Sequence, residues 1–302
     1  MASRVRLERL VTERPNRASQ DLDRLSPLRI ARLMNREDQR AVAAVGREAP
    51  RIAAAITLIA QAFRKGGRLI FVGAGTSGRL GVLEAAECPP TFGTPPSMVQ
   101  GIMAGGRSSV FRSREGAEDD AAAGMRAVQS RVRRGDVVVG VSASGITPFV
   151  RAALTAARSR GASTVLVTCN PRRARSRRAD VVIAPVAGPE VLAGSTRLKA
   201  GTATKLVLNT LTTGAMAQLG KIYGNRMVDV QPRSRKLEER ATRLIAEIGR
   251  VPRGRARRLF DATRNVRVAV VMARTRRSAL DARRELAKNG NSLSKVIGPS
   301  SR

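Results

Sequence analysis

The chain is 302 residues long, with 56 Lys and Arg against 23 Asp and Glu, a formal charge of +33, 42% hydrophobic residues and no histidine. A chain of that length buries one large core, and no apolar stretch in it approaches the roughly 20 residues that cross a bilayer. The missing histidine excludes a Ser-His-Asp triad and a His-ligated zinc site, so acid–base chemistry must come from Glu, Asp, Lys, Tyr or Cys. Positive charge attracts phosphate backbones in general, but here it is spread over every segment as 49 arginines against 7 lysines, and aromatics are 2%, too few for a base-stacking platform. We read it as solvated arginine surface with no specific nucleic-acid partner; the densest run is PRRARSRR at 171–178. The N-terminus, MASRVRLERLVTERPNRASQ, has no apolar segment before a small-residue cleavage site. Cys88 and Cys169, without CxxC spacing, read as buried, reduced thiols of a cytoplasmic protein rather than a disulfide frame or metal site.

Taken in chain order, residues 1–66 are helical in pattern. Leu22, Leu25, Leu28, Ile30 and Leu33 recur at helical spacing with a break at Ser26-Pro27, where Ser26 is placed to cap a helix starting at Pro27. A long alanine-rich helix over 37–63 follows and stops at Gly66-Gly67. From 68 the period changes. Apolar runs at 68–72, 98–103, 136–141, 163–169 and 180–186 read as strands. Helices are expected from about Ser77, over 115–128 and from Pro148, the last with Thr147 as N-cap. Strands alternating with helices at this spacing predict a parallel sheet with helices on both faces, whose ligands bind at the carboxyl ends of the strands. A polar loop at 187–198 leads to an apolar helix over 199–223, expected in the core or against a second subunit. The remainder is arginine- and glutamate-rich at helical spacing (236–249, 253–264, 278–289), with one β-like run at 266–272. The expected domains are a helical segment at 1–66, a ligand-binding α/β domain at 67–230 and a helical appendix at 231–302.

Two turns carry the chemistry. GAGTSG at 73–78 follows the first strand, and SASGIT at 142–147 follows the third. Glycines with Ser or Thr at a strand-to-helix turn present backbone N–H groups, hydroxyls and a helix N-terminus to an anion. One G-x-G-x-x-G alone fits a dinucleotide, but two hydroxyl-rich loops in one sheet favour a phosphate monoester held by Thr76, Ser77, Ser142, Ser144 and Thr147. Glu84, Glu87, Glu115 and Glu118 stand near the same face. A carboxylate shielded from water has a raised pKa and works as a general acid near neutrality. A helix unbroken from Ser77 to Glu87 spans about 15 Å.

The blocks GAGTSGRLGVLEAAECPPTFGTPP, REGAEDD, ASGITPFV, GPEVLAGSTRLKAGTATKLVLN and GKIYGNRMVDV resemble the bacterial N-acetylmuramic acid 6-phosphate etherases, a sugar-isomerase (SIS) fold family related to the glucokinase regulatory protein. The resemblance runs from about residue 12 to 231. It implies a SIS-type α/β fold, a flavodoxin-like three-layer sandwich with N-terminal helices and a C-terminal helical appendix. It also implies cleavage of the D-lactyl ether at C3 of the phosphosugar without metal or cofactor. The roughly 15 Å from Ser77 to Glu87 exceeds the distance from a sugar phosphate to C3. With the apolar helix after Lys199, the expectation is a homodimer in which a second subunit completes the site of Glu87. Carried over by motif, Glu87 is the proton donor and Glu118 the second carboxylate, while Gly78, Gly145, Glu190, Ser195 and Thr196 join the hydroxyls above in binding substrate. Ile146 stands where the family usually has arginine, Phe149 where tyrosine is usual, and Arg233-Ser234-Arg235 where TNE is common. Loss of a charged contact at 146 corresponds to about 1.5 to 3 kcal/mol of phosphate affinity. Two other readings stay open. A non-catalytic phosphosugar-binding regulator of the glucokinase regulatory protein type carries two SIS units where one is visible here, and a phosphosugar isomerase is the other.

Overall fold

The computed structural model describes residues 10–170, 179–230 and 234–300; the basic run at 171–178 and Arg233 lie outside the described residues. Short 3-10 turns at Val11–Glu13, Arg17–Ser19 and Leu22–Arg24 lead into α1 (Pro27–Arg47) and α2 (Ala49–Arg64). The single helix expected over 37–63 is two helices, because Pro50 has no N–H for the carbonyl four residues back and its ring crowds that carbonyl. The chain turns at Glu48, whose side chain takes the Ala184 N–H at 3.0 Å and Arg51 at 3.0 Å. Ser26 precedes Pro27 as expected, yet its side chain makes no capping bond.

The sheet then forms. β1 (Leu69–Gly73) is followed by α3 (Gly75–Phe92), β2 (Val99–Met103), α4 (Ser108–Phe111) and α5 (Ala121–Gln129). After these come β3 (Val137–Val141), α6 (Pro148–Ser159), β4 (Ser163–Val167), β5 (Val181–Ile183) and α7 (Lys199–Gln218). All five strands are parallel in the order β2-β1-β3-β4-β5, the flavodoxin-like order whose direction reverses between β1 and β3. Period-two alternation sorts the strand residues. Ile70, Val72 and Val138 join Val150, Ala153 and Leu154 of α6 in one apolar cluster, and Gly140 leaves room for Leu154 on that face. Phe71 faces the other way, against Gly81 of α3. Helices therefore cover both faces of the sheet. The helix expected over 115–128 starts only at Ala121, where the Asp120 carboxylate takes the Ala123 N–H at 2.7 Å. Residues 112–120 are loop, and Glu115 and Glu118 lie on it.

The described residues form two compact units, one up to Ala86 with Ser97–Thr212 and the other Glu87–Pro96 with the chain from Thr213 onward. In the second, the helix expected to reach 223 ends at Gln218, and a hairpin of β6 (Ile222–Tyr223) and β7 (Arg226–Met227) follows. It continues with α8 (Arg235–Gly249), α9 (Arg253–Thr263), α10 (Val266–Thr275), α11 (Ala279–Lys288) and α12 (Leu293–Ile297). The β-like run at 266–272 is thus helical. Asn265 caps its Val268 N–H at 3.0 Å, and Val266, Val268, Val270 and Val271 are buried together among α8, α9 and α11. A helix buried on all sides is apolar all round, and periodicity alone does not separate it from a strand.

Candidate active site

The switch between β1 and β3 places the loops that follow them on either side of one crevice at the carboxyl end of the sheet. The first turn needs glycine at both ends. A Cβ on Gly73 would sit 2.6 Å from the Gly78 nitrogen, and one on Gly78 would sit 2.4 Å from Met103 Sδ. The close return starts α3 at Gly75, two residues before the expected Ser77. Thr76 and Ser77 are half-buried at its first turn.

In the second loop the hydroxyls bind one another. Ser142 Oγ and Thr147 Oγ1 are 2.8 Å apart, the Gly145 N–H donates to Ser142 Oγ at 3.0 Å and the Ile146 N–H donates to Ser144 Oγ at 3.3 Å. Thr147 therefore gives its hydroxyl to the loop and does not cap α6. That helix is satisfied from elsewhere: the Phe149 N–H donates to the Glu118 carbonyl at 3.0 Å, tying the glutamate-bearing loop to the hydroxyl loop. Phe149 itself is buried in the sheet-side cluster, where a tyrosine hydroxyl would need a partner, and Ile146 is half-buried.

A third stretch approaches from before α7. Ser195 and Thr196 are half-buried. A Cβ on Gly201 would be 3.5 Å from the Thr196 carbonyl and 3.7 Å from Thr76 Cγ2, so Thr76, Thr196 and the first turn of α7 meet at that glycine. Ala143, Cys169 and Ala200 pack together and bring the second loop to the same helix start. Glu190 is buried beneath it, each carboxylate oxygen taking a backbone N–H, from Lys199 and from Ala200, at 2.9 Å. Burial pushes the Glu190 carboxyl up despite those two bonds, and burial, with Glu190 as the lesser cause, pushes the Cys169 thiol up to about 12. Cys169 is a packed thiol and no nucleophile at neutral pH.

The carboxylates are distributed unequally. Glu115 and Glu118 are exposed and line a cavity of about 170 Å³ with Gly75, Arg79, Ser109 and Arg114. Glu87 is exposed on α3 and counts with the second unit. Glu84 is buried and accepts from Asn209 and Thr212 of α7, which makes it a helix-to-helix tie. Three residues nearby escaped the sequence reading. Arg79, one position past GAGTSG, donates from Nε to the Val110 carbonyl at 2.8 Å and from Nη2 to the Ser109 carbonyl at 3.0 Å. Asn170 donates to the Ser144 carbonyl at 3.1 Å, and Lys199 is a buried cation on α7. Only Arg79 had a positional signal. Hydroxyls, backbone N–H groups and a helix start suit an oxyanion, and among the described residues no three acidic or cysteine side chains gather as metal ligands. Among those residues no helix is long and apolar enough to cross a membrane.

Family models of the glucokinase regulatory protein N-terminal SIS domain and of the SIS domain match residues 51–158 and 118–214. The N-acetylmuramic acid 6-phosphate etherase of Symbiobacterium thermophilum is 53% identical over 266 residues, covering 88% of this chain and 89% of its own. That of Synechocystis sp. is 50% identical over 290 residues, covering 95% of each. Among solved structures, a phosphoheptose isomerase from Neisseria gonorrhoeae aligns with 63% of this chain and 97% of its own at 17% identity and a TM-score of 0.47. With half its residues shared along nearly its whole length, the chain belongs to the N-acetylmuramic acid 6-phosphate etherase family.

Proposed function

We propose that this chain is a carbon–oxygen lyase that cleaves the D-lactyl ether of N-acetylmuramic acid 6-phosphate, giving N-acetylglucosamine 6-phosphate and D-lactate in the recycling of cell-wall amino sugars. The observation that carries the reading is the agreement with the etherases along the chain, and the convergence of hydroxyl-bearing loops beside a carboxylate-lined cavity supports it. In the open-chain sugar the C1 carbonyl acidifies the proton on C2. One carboxylate removes that proton, the C3–O bond breaks as an acid protonates the departing lactate oxygen, and water adds across the resulting double bond. The net reaction is hydrolysis and needs no oxidant or reductant. Glu87 is the proton donor and Glu118 the second carboxylate. The phosphate is held by Thr76, Ser77, Gly78, Ser142, Ser144, Gly145, Thr147, Ser195 and Thr196, with Glu190 beneath them.

Glu87→Gln and Glu118→Gln should each lower kcat by about 10²-fold or more while phosphosugar binding persists; unchanged turnover removes that residue from the mechanism. Both carboxylates are exposed on a single chain, and the reading includes a cytoplasmic homodimer that shields them, with Glu87 and Glu118 of one site drawn from different subunits. Mixing the two inactive variants should then restore roughly a quarter of wild-type activity, because half the dimers carry one intact site. A mixture as inactive as its components places both residues in one chain. The match to the glucokinase regulatory protein domain favours a second reading, a phosphosugar-binding regulator. That protein would bind the phosphosugar and release no lactate.

A further inference from the structure

The N-terminal segment and α1 hold the stretch before α7 through buried polar groups that the proposed chemistry does not use. The Gly194 N–H donates to the Thr12 carbonyl at 3.0 Å, Ser19 Oγ donates to the Val191 carbonyl at 2.7 Å, and Asn16 Nδ2 donates to the Pro189 carbonyl at 3.3 Å. The same Asn16 amide reaches Glu37 Oε2 at 2.8 Å, and Lys199 Nζ meets that oxygen at 2.6 Å while also donating to the Pro189 carbonyl at 2.9 Å. Lys199 and Glu37 are 1% and 2% exposed, so neither touches a ligand in solvent. Burial raises the Glu37 carboxyl, but hydrogen bonds from Lys199 and Asn16, with the nearby charges, hold it below the ordinary range. From the other side Glu190 fixes the Lys199 and Ala200 N–H groups.

The result is a loop pinned at 189, 191, 194 and 199, with Ser195 and Thr196 carried between the pins. A buried lysine–glutamate pair is a weak source of net stability, because desolvation offsets the attraction and an apolar pair of similar size does as well. Its distinctive contribution is geometry. Hydroxyls that hold a phosphate act best when they do not have to be ordered on binding. Asn16 ties three separate parts of the chain to one point: the N-terminal turns, α1 through Glu37 and the Pro189 carbonyl.

We propose that Asn16, Glu37 and Lys199 are positioning residues that hold Ser195 and Thr196, and through Gly201 the facing Thr76, at the spacing of a bound sugar phosphate. This rests on the phosphosugar reading above. The N-terminal segment is then part of the binding apparatus, acting through the loop it straps and not by touching the ligand.

The test combines hydrogen exchange with calorimetric titration of N-acetylglucosamine 6-phosphate into wild type, Asn16→Ala, Thr196→Ala, their double variant, and a chain carrying Glu37→Leu with Lys199→Met. In Asn16→Ala the amides of 190–198 should exchange about tenfold faster while those of β1 and β3 stay protected, and Kd should rise about tenfold. Adding Asn16→Ala to Thr196→Ala should cost less than about twofold more, since a misplaced hydroxyl has little left to lose. The apolar pair, which also removes the Glu37 bonds to Asn16 and Arg40, should still melt cooperatively within about ten degrees of wild type and bind weakly. Wild-type affinity in Asn16→Ala or in the apolar pair, or losses that multiply fully in the double variant, would overturn the proposal alone. Wild type that binds no phosphosugar would overturn it together with the functional reading.

Discussion

The two units use their acidic side chains in opposite ways. In the first, Glu37, Glu48, Glu84, Asp136 and Glu190 are buried, and three of them meet backbone N–H groups. Asp136 takes the Arg68 and Arg133 N–H groups at 2.9 and 2.8 Å and the Arg68 guanidinium at 2.6 Å. Glu48 takes the Ala184 N–H just past β5 and Glu190 takes the first two N–H groups of α7, while the exposed Asp180 takes the Thr164 N–H at 2.7 Å. In the second unit most acids are half-buried or exposed and meet arginines, as Arg264 just past α9 meets Glu238 of α8 at 2.8 Å and Arg277 just before α11 meets Glu285 of that helix at 2.9 Å. Asp229 with Arg267 at 2.6 Å is its buried exception. The core there is apolar and self-sufficient, built around Phe260, Ile245 and the valines of α10. Buried acids place loop ends and helix starts to a fraction of an ångström, which a ligand site requires. Exposed pairs on a packed bundle contribute solubility and little else.

The contrast breaks most sharply at Asp136. Asp136→Ala leaves the Arg68 guanidinium and two N–H groups without their acceptor, and should cost about 3 to 5 kcal/mol in urea denaturation. Burial raises the Asp136 carboxyl, but hydrogen bonds from Arg68 and Arg133 with the Arg68 charge together hold it below its ordinary range. A depressed carboxylate contributes stability above its unfolded pKa of about 3.9 and loses it as pH falls through the folded value. The gap between wild type and variant should therefore be full at pH 6 and narrow progressively below about pH 4. A gap that stays constant into strong acid would show that the charge is not its source.

A smaller loss is expected in the second hydroxyl loop. Ser142→Ala strands the buried Thr147 hydroxyl, while the Gly145 N–H keeps its bond to the Ser142 carbonyl at 2.9 Å, and should cost about 1 to 3 kcal/mol by thermal melting while weakening phosphosugar binding. Unaltered binding would remove this loop from the phosphate site. The smallest effect belongs to the second unit. Glu239→Gln breaks an exposed pair with Arg253 and should shift stability by less than about 0.5 kcal/mol, less again at high salt. A larger loss would mean that the surface pairs of that unit are structural.

The strands and their hydroxyl loops were legible because the apolar runs are continuous and the punctuating glycines are sterically required, as Gly73 and Gly78 are. The break at Glu48 was readable in principle from Pro50, but the alanine-rich pattern on both sides masked it. The run at 266–272 is ambiguous on its own, since a fully buried helix and a buried strand share one pattern. Partnership was the least visible. Nothing local says that Glu190 caps α7 nine residues later, that Asn16 reaches Pro189, or that Glu84 turns inward while Glu118 faces a cavity. These depend on which helices the tertiary fold brings together. The roles proposed for Glu87 and Glu118 rest on motif resemblance and not on spacing, because two glutamates three residues apart are ordinarily a solvated helix face.

The central claim is that this chain breaks a C3–O bond by elimination followed by addition of water. Incubating the purified protein with N-acetylmuramic acid 6-phosphate in ¹⁸O-labelled water tests it directly. The account predicts D-lactate free of label and N-acetylglucosamine 6-phosphate with ¹⁸O at C3, apart from the oxygen its C1 carbonyl exchanges with water; in D2O the same reaction places deuterium at C2, which direct displacement at C3 would not. No lactate from folded, phosphosugar-binding protein, or label in the lactate instead of the sugar, would contradict it.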